Sequence, residues 1–441
     1  MDLKSKTVQE FQETEIGKIP LDWNIMSILD CASNEPYATQ IGPFGKALMS
    51  SEYTESGVPV LRGINVNLGR FHDNDFVFVS NEKANELKKF ESLPEDVLLV
   101  HKGTIGKIGL MPSSRKFPRY LLGNSMMRVR CDPKKLQAEF LYLWLSSPFG
   151  QDYLYSRISQ VGVPQLQTPL TTLREAKLGV PPVSEQQRIV NIIFSLESKI
   201  QNLENQNKIL EQIAQTIFKS WFVDFDGVTE FEDSELGQIP KGWEVGTLGE
   251  YLEITKGVSY KSSELMPSNK ALVTLKSIKR HGGYTERGLK SFDGKYKESQ
   301  IVHENDLIIA QTDLTQDAAV IGKPAIIRSS KEFDILIASL DLLIIRPKDD
   351  YLKYYFYYMF MTNEFQNHVY GYTNGTGVLH LAKDGVPSYQ CLIPPKEILE
   401  KFIKLVSFIK QKTHDNHYQI ESLTKTRDIL LPKLMSGEIR V

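Results

Sequence analysis

Cysteine is scarce: Cys31, Cys131 and Cys391 stand alone, so neither a disulfide framework nor a paired metal-ligand spacing can be drawn. No apolar run approaches the roughly 20 residues that span a bilayer. The opening MDLKSKTVQEFQETE also lacks the apolar core of an export signal. A reducing cytoplasm is therefore the expected location, with no membrane partner. Catalytic signatures are missing as well. There is no GxxxxGK[ST] phosphate loop, no GxGxxG behind a strand, no HExxH and no GxSxG. His414 and His417 lie three apart, but nothing nearby completes a metal ligand set, and a solvated helix face is the simpler reading. Asp96, His101 and Lys102 have the outline of a nuclease acid-and-lysine arrangement with histidine where the second acid belongs, and the second half puts Gln311 and Thr312 there. An adenine methyltransferase needs an NPPY-like tetrad, whereas the double prolines here are followed by Val183 and Lys396. No catalytic residue and no metal ligand is expected, and the chain reads as a binder.

At 441 residues, with 41% hydrophobic and 24% charged residues, the chain is long enough for two or three cores of ordinary soluble composition. Its net charge of −2 hides a segregation. Between Val97 and Lys135 there are nine Lys or Arg against Asp132 alone, and between Lys270 and Lys297 eight against Glu286 and Asp293. Either run by itself is equally compatible with a solvated face. The pair suggests two polyanion contacts.

What the sequence does contain is a rod and a repeat. From Ser184 to Phe222, seam positions recur with alternating spacings of three and four: Ile189, Ile193, Leu196, Ile200, Leu203, Asn207, Leu210, Ala214, Ile217 and Trp221. These 39 residues predict a helix of roughly 58 Å, with Ser184 and Gln187 at capping-box spacing. A second such stretch runs Phe402, Val406, Ile409, Thr413, Asn416, Ile420, Leu423, Arg427, Leu430 and Leu434. IGKIPLDW (Ile16 to Trp23) returns as LGQIPKGW (Leu236 to Trp243), and VPP at Val180 to Pro182 as IPP at Ile393 to Pro395, so the chain is an internal duplication. Between these anchors the halves diverge. VPVLRGIN (Val58 to Asn65) aligns with LVTLKSIK (Leu272 to Lys279), and EDVLLVHKGTIGKIG (Glu95 to Gly109) with NDLIIAQTDLTQDAAVIG (Asn305 to Gly322), as strands leading into turns. Each insert ends in an aromatic helical stretch, Phe140 to Tyr155 and Tyr351 to Phe365, read as core packing rather than base stacking. The expected fold class is α+β. Two small mixed-sheet domains are separated by two long antiparallel coiled-coil helices with pseudo-twofold repetition, at 1–180, 181–228, 229–392 and 393–441.

The shared scaffold with divergent inserts suits two readers of different targets. IGKIPLDW, LGQIPKGW, SWFVDFDGV (Ser220 to Val228), LLPKLMSGEIRV (Leu430 to Val441) and QIGPFGKALMSSEYTESGVPVLRG (Gln40 to Gly63) together resemble the specificity subunit of type I restriction-modification systems, over essentially the whole chain. The resemblance implies a non-catalytic subunit. Each of its two target-recognition domains would read one half of a split, asymmetric sequence in double-stranded DNA. The long helices would hold the readers apart and dock two methylation subunits, with motor-endonuclease subunits joining for cleavage. S-adenosylmethionine, ATP and magnesium would be bound by those partners. The alternatives are a coiled-coil scaffold with protein-binding domains, a related non-restriction methylation system, or a self-sufficient nuclease or methyltransferase. Salt-sensitive binding to duplex DNA separates the first of these from a DNA reader.

Arg and Lys can bind guanine bidentately in the major groove, and Asn and Gln adenine. The candidate reading residues are Arg62, Asn65, Lys102, Thr104, Lys107, Gln165 and Gln167 in the first half, and Lys276, Lys279, Arg280, Gln311, Thr312, Gln316 and His380 in the second. Phe222, which lies off the seam, is a candidate docking residue together with Phe225 and with Asp224, which with Asp226 forms a polar rim around them. If the rods pack antiparallel with midpoints opposed, facing residue numbers sum to 623, which places Asn207 opposite Asn416, Trp221 opposite Phe402 and, less favourably, Leu196 opposite Arg427.

Overall fold

The computed structural model describes residues 10–441 apart from 68–69, 160–161, 314–317 and 376. Two helices dominate, Val183–Phe222 and Lys396–Met435, each 40 residues long. Contacts divide the chain into two compact units, Met1–Glu204 with His417–Val441, and Asn205–Asn416. The division cuts through both helices, so each unit owns one globular domain and half of each rod. No helix among the described residues is long and apolar enough to cross a membrane.

In the first unit a four-stranded antiparallel sheet runs in the order Ile108–Leu110, Val97–Val100, Met126–Val129, Thr39–Ile41. A second sheet pairs Val58–Leu61 in parallel with Leu121–Leu122 and antiparallel with Val77–Val79. Both faces of the central strands are covered, so Val97–Val100 and Met126–Val129 are buried throughout, including Arg128. The helix Ala138–Ser146 is apolar almost all round, and its aromatic residues pack in the same core as Trp23, Ile189 and Ile193.

The second unit repeats this plan. Its four-stranded sheet runs Pro324–Ile326, Leu307–Ala310, Leu342–Pro347, Leu252–Lys256, and its parallel pair joins Lys270–Val273 to Ile335–Ala338. Register corrects the sequence alignment here. Gly123 donates to the Leu61 carbonyl and Ser339 to that of Val273, so Leu61 corresponds to Val273. The pairing of VPVLRGIN with LVTLKSIK had matched Leu61 to Leu275, two residues off. A run of Val, Leu and Ile carries no internal marker of register. By contrast the match of Glu95 to Gly109 with Asn305 to Gly322 holds at its start, where Glu95 donates to Met111 and Asn305 to Ile327 and both have positive φ, 67° and 70°. At its end Gly322 corresponds to Gly106, each carbonyl accepting from a glutamine, Gln366 and Gln151.

The repeated IPxxW motif is the seat on which the end of a long helix lands. In the second unit Phe225 and Phe222 pack on Trp243 with ring centroids 5.4 and 6.0 Å apart. In the first, Gly437 (φ 71°) lies so close to Pro20 and Trp23 that a Cβ would not fit. Arg440 then clamps the seat. Its guanidinium donates to Glu185 at 2.5 and 2.7 Å and to Asp22 at 2.9 and 2.7 Å, while Trp23 Nε1 donates to Glu185 at 3.3 Å. The hydrogen bond from Arg440 holds the Asp22 carboxyl below its ordinary range. A depressed carboxyl adds stability above its unfolded pKa, and this is lost as pH falls through the folded value. Acid titration of thermal stability should therefore show wild type losing stability of the first unit at low pH more steeply than Arg440→Ala. The difference should be small, because Asp22 is half exposed.

The seam shows the summed register of 623 at two pairs. Asn416 Nδ2 donates to Asn207 Oδ1 at 2.8 Å, and the Trp221 and Phe402 rings are 6.4 Å apart. Arg427 turns its guanidinium onto the neighbouring Asp428 at 2.7 Å. Toward the end of the central helix the buried stripe moves from Ile217 and Trp221 to Ala214, Phe218 and Phe222. Spacing of four follows the natural pitch of a straight helix. Tyr355 and Tyr358 of the helix Lys353–Met359 come down on that face, with centroids 5.5 and 6.1 Å from Phe218.

Candidate nucleic-acid interface

Each domain carries part of its candidate reading set where a central sheet strand runs out into a crossing strand. In the first, Val97–Val100 continues to His101 and Lys102, and Lys102 bridges antiparallel to Gln165 on the short strand Gln165–Leu166. In the second, Leu307–Ala310 continues through Gln311 to Thr312, which pairs with His380 on Leu379–Leu381. Leu166 donates to the His101 carbonyl at 2.9 Å and Leu381 to that of Gln311 at 2.9 Å. Lys102 therefore corresponds to Thr312 and Gln165 to His380, on one backbone frame with different side chains.

The candidates divide by exposure. Lys102, Thr104, Gln165 and Gln167 are exposed together around the first crossing. Lys107 is half-buried, its Nζ 3.4 Å from the Gly63 carbonyl. Arg62 is half-buried and donates to the Asp75 carbonyl at 2.6 Å. In the second domain Lys276, Lys279, Arg280 and His380 are exposed, the first three on and beside the turn closed by Gly282 and Gly283. Gln316 lies outside the described residues.

Three candidates are corrected. Asn65 is fully buried: its Oδ1 accepts from the Arg62 amide at 2.8 Å and its Nδ2 donates to the carbonyls of Asn74 at 2.7 Å and His72 at 3.3 Å. It shapes a turn and has no face for a base. The equivalent Ser277 is likewise buried. Thr312 is buried with its hydroxyl on Asp341 Oδ1 at 3.0 Å, and Gln311 is 8% exposed. The second domain's edge at this crossing is thus His380 rather than Gln311 and Thr312. The first basic run is also less free than its count suggests, since Arg119 pairs with Glu91 and Arg128 and Arg130 with Asp96. That pairing occupies the acid of the nuclease-like outline.

Between the strand end and the crossing hairpin of the first domain lies an open cleft of about 480 Å³, lined by Phe44, His101, Lys102, Asn124, Gln165 and Thr168 among others. His101 is 3% exposed. Its Nε2 faces the Asn124 carbonyl at 3.1 Å and so must donate, which leaves Nδ1 as a bare acceptor, without a partner among the described residues. Burial lowers the imidazole's pKa, favouring the neutral ring. Sequence reasoning passed over Phe44 and Asn124. The signal for Phe44 was its setting in GPFGK, an apolar ring between two turn-forming glycines.

The two aromatic docking candidates are corrected too. Phe222 is 6% exposed and sits among Trp243, Tyr355 and Phe402 at centroid distances of 6.0, 5.0 and 4.9 Å. Phe225 packs on Trp243 and Phe231, and Asp224 is paired with Lys219. Phe222 and Phe225 serve the helix end, while Asp224 stays exposed.

Comparison with known proteins follows the same repeat. The family model for the type I restriction modification DNA specificity domain matches residues 40–213 and again 240–422. The chain is 28% identical to the type I restriction enzyme MjaIX specificity subunit of Methanocaldococcus jannaschii, in an alignment covering 100% of this chain and 98% of that protein. It is 22% identical to the HindI specificity subunit of Haemophilus influenzae, covering 85% and 94%. The crystal structure of the type I restriction-modification S subunit from M. genitalium shares the fold, with a TM-score of 0.52 at 15% identity over 94% of this chain and 96% of that one. With both of its domains matched in one chain, this protein belongs to the family of type I restriction-modification DNA specificity subunits.

Proposed function

We propose that this specificity subunit reads an asymmetric, two-part DNA sequence, one part with each globular domain, and directs adenine methylation or cleavage carried out by partner subunits. The supporting observation is the pair of crossings: one backbone frame occurs twice, with Lys102 and Gln165 exposed in one copy and His380 beside a buried Thr312 in the other. Identical targets would call for identical edges. Exchanging residues 244 to 390 for the second reader of another family member should change one half of the methylated sequence and leave the other intact, read by methylation-sensitive sequencing of a genome carrying the exchange with its methylation partner. A methylated sequence that stays whole would overturn the division of labour.

On this reading the chain is not itself an enzyme and acts in the cytoplasm on double-stranded DNA. S-adenosylmethionine, ATP and magnesium belong to the two methylation subunits and the motor-endonuclease subunits. Among the described residues no group of three or more His, Cys, Asp and Glu is placed to hold a metal ion.

For one methylation subunit the second unit offers a docking face on its helix pair. Glu211 and Lys410 pair at 2.8 Å on the side covered by Tyr357 and Tyr358. Two residues along a helix point to opposite sides. Ile209, Ile213 and Phe408 are each two residues from that pair, and they are 55%, 44% and 74% exposed, with Leu405 beside them at 45%. Apolar residues left outside a seam in this way fit an apolar helix of a partner. Phe408→Glu should weaken association with the methylation subunit about tenfold or more, a typical loss for an apolar anchor, while leaving thermal stability within about 0.5 kcal/mol of wild type. Unchanged co-purification would remove this face from consideration.

A further inference from the structure

Phe44 is 59% exposed at the mouth of the first domain's cleft, a poor place for a ring whose only work is core packing. Its backbone is firmly set. Gly42 donates to the Met126 carbonyl at 2.8 Å and lies too close to the Gly123 carbonyl for any Cβ, Pro43 is buried, and Gly45 turns the chain with φ 53°. Among the described residues the ring against it is the buried His101, edge-on with centroids 6.2 Å apart and planes at 61°. Hydrogen-bonding groups surround the opening: Lys102, Asn124 and Gln165 are exposed on the rim, and His101 Nδ1, without a partner among the described residues, lies in the wall. The volume, about 480 Å³, falls in the range of small-molecule sites, roughly 300–1,000 Å³.

Among its described residues the second domain has no ring at the position of Phe44. Gly257 donates to Leu342 as Gly42 does to Met126, so Ser259 stands where Phe44 does. The next residue, Tyr260, packs with Leu272 and Phe292 in the core.

Resting on the DNA-reading function proposed above, we infer that the first domain takes one nucleobase of its half-site out of the duplex stack, holding it face-on to Phe44 with its edge among the polar groups of the cleft. An aromatic plane, a cavity open to it and donors and acceptors around the rim are what an unstacked base requires. The second domain reads its half-site with the stack intact.

The test uses the full chain with duplexes carrying the recognised sequence, 2-aminopurine being placed in turn at each position of both half-sites. The half-site of the first domain is the one retained when residues 244 to 390 are exchanged. With wild type, fluorescence should rise on binding at one position of that half-site and at none in the other. Phe44→Ala should abolish the rise and weaken binding about tenfold or more, the usual loss on removing a stacking ring. Phe44→Tyr should keep both, and Ser259→Ala should change neither. Sequence-selective binding by wild type without a rise at any position of the first half-site overturns the inference and leaves the reading function standing. So does a Phe44→Ala variant with wild-type affinity and fluorescence. Absence of sequence-selective binding by wild type overturns the reading function, and this inference with it.

Discussion

Asp96→Ala is expected to destabilise the first unit by about 3–5 kcal/mol, the cost of leaving buried cations without their counter-ion. Asp96 is fully buried, and its carboxylate accepts from Arg130 at 2.8 and 3.0 Å, lies 3.5 Å from Arg128 Nε and takes the Leu93 amide at 2.8 Å. Arg130 could fall back on Glu35, 2.8 Å away and open to solvent. Arg128 could not. It is 2% exposed in the middle of a sheet strand, and its other partners are the carbonyls of Glu91, Tyr37 and Lys89. The duplication supplies an internal control. Asp306 occupies the same place in the second domain, accepting from the His303 amide at 3.1 Å, with Arg346 at 3.6 Å in the position of Arg130. Ile344 stands where Arg128 does, and the Asp306–Arg346 pair is partly exposed. Asp306→Ala should therefore cost only about 1 kcal/mol. Hydrogen exchange read separately on peptides from Val97–Val129 and Leu307–Ile345 avoids treating a two-unit chain as one transition. Equal losses from the two substitutions would mean that the buried Arg128 is not what makes Asp96 indispensable.

Arg128 also shows where sequence reading succeeds and where it stops. The architecture was legible because it rests on periodicity and repetition: seams spaced by three and four, IPxxW twice, and a double proline before each rod. These are one-dimensional records of three-dimensional contacts. The correspondence of Lys102 with Thr312 was legible for the same reason, since a flanking acid and Gly or Asp at a turn fixed the alignment. Side-chain destination was not legible. An arginine in a basic run reads the same whether it meets solvent or sits in a sheet, and Asn65 reads the same whether its amide closes a turn or meets adenine. Phe222 lay off the seam in a count that treated the two rods as each other's only partners. Tyr355, which covers it, is 133 positions further along the chain. Phe44 was visible as a residue, but its meaning depends on the cleft it edges, which strands distant in sequence enclose.

The seam asparagines give the second large effect, and its sign depends on how many are replaced. Asn416 is fully buried and donates from Nδ2 to Asn207 Oδ1 at 2.8 Å, with Gln206 Oε1 at 3.4 Å. Asn207 Nδ2 and Asn416 Oδ1 have no partner among the described residues, so the pair fills only part of its hydrogen-bonding capacity inside an apolar seam. Removing one asparagine leaves the other amide unsatisfied, at about 1–3 kcal/mol. Asn207→Leu should sit near the upper end, because it strands the fully buried Asn416, and Asn416→Leu near the lower end, because Asn207 is only partly buried. Replacing both with leucine removes every unsatisfied group and adds apolar burial, so the double variant should be at least as stable as wild type, which makes the coupling in the cycle at least the sum of the two single losses, about 4 kcal/mol. A coupling of zero would mean that the two amides meet without interacting. The gain in stability would remove a device that fixes the register of the rods: a polar pair in one layer penalises every sliding alignment that sets an asparagine against leucine, whereas an all-apolar seam tolerates several. For a helix pair whose seam is otherwise mostly apolar, with Thr413 and Arg427 the other polar positions, that penalty is worth more to a single defined alignment than the stability it costs.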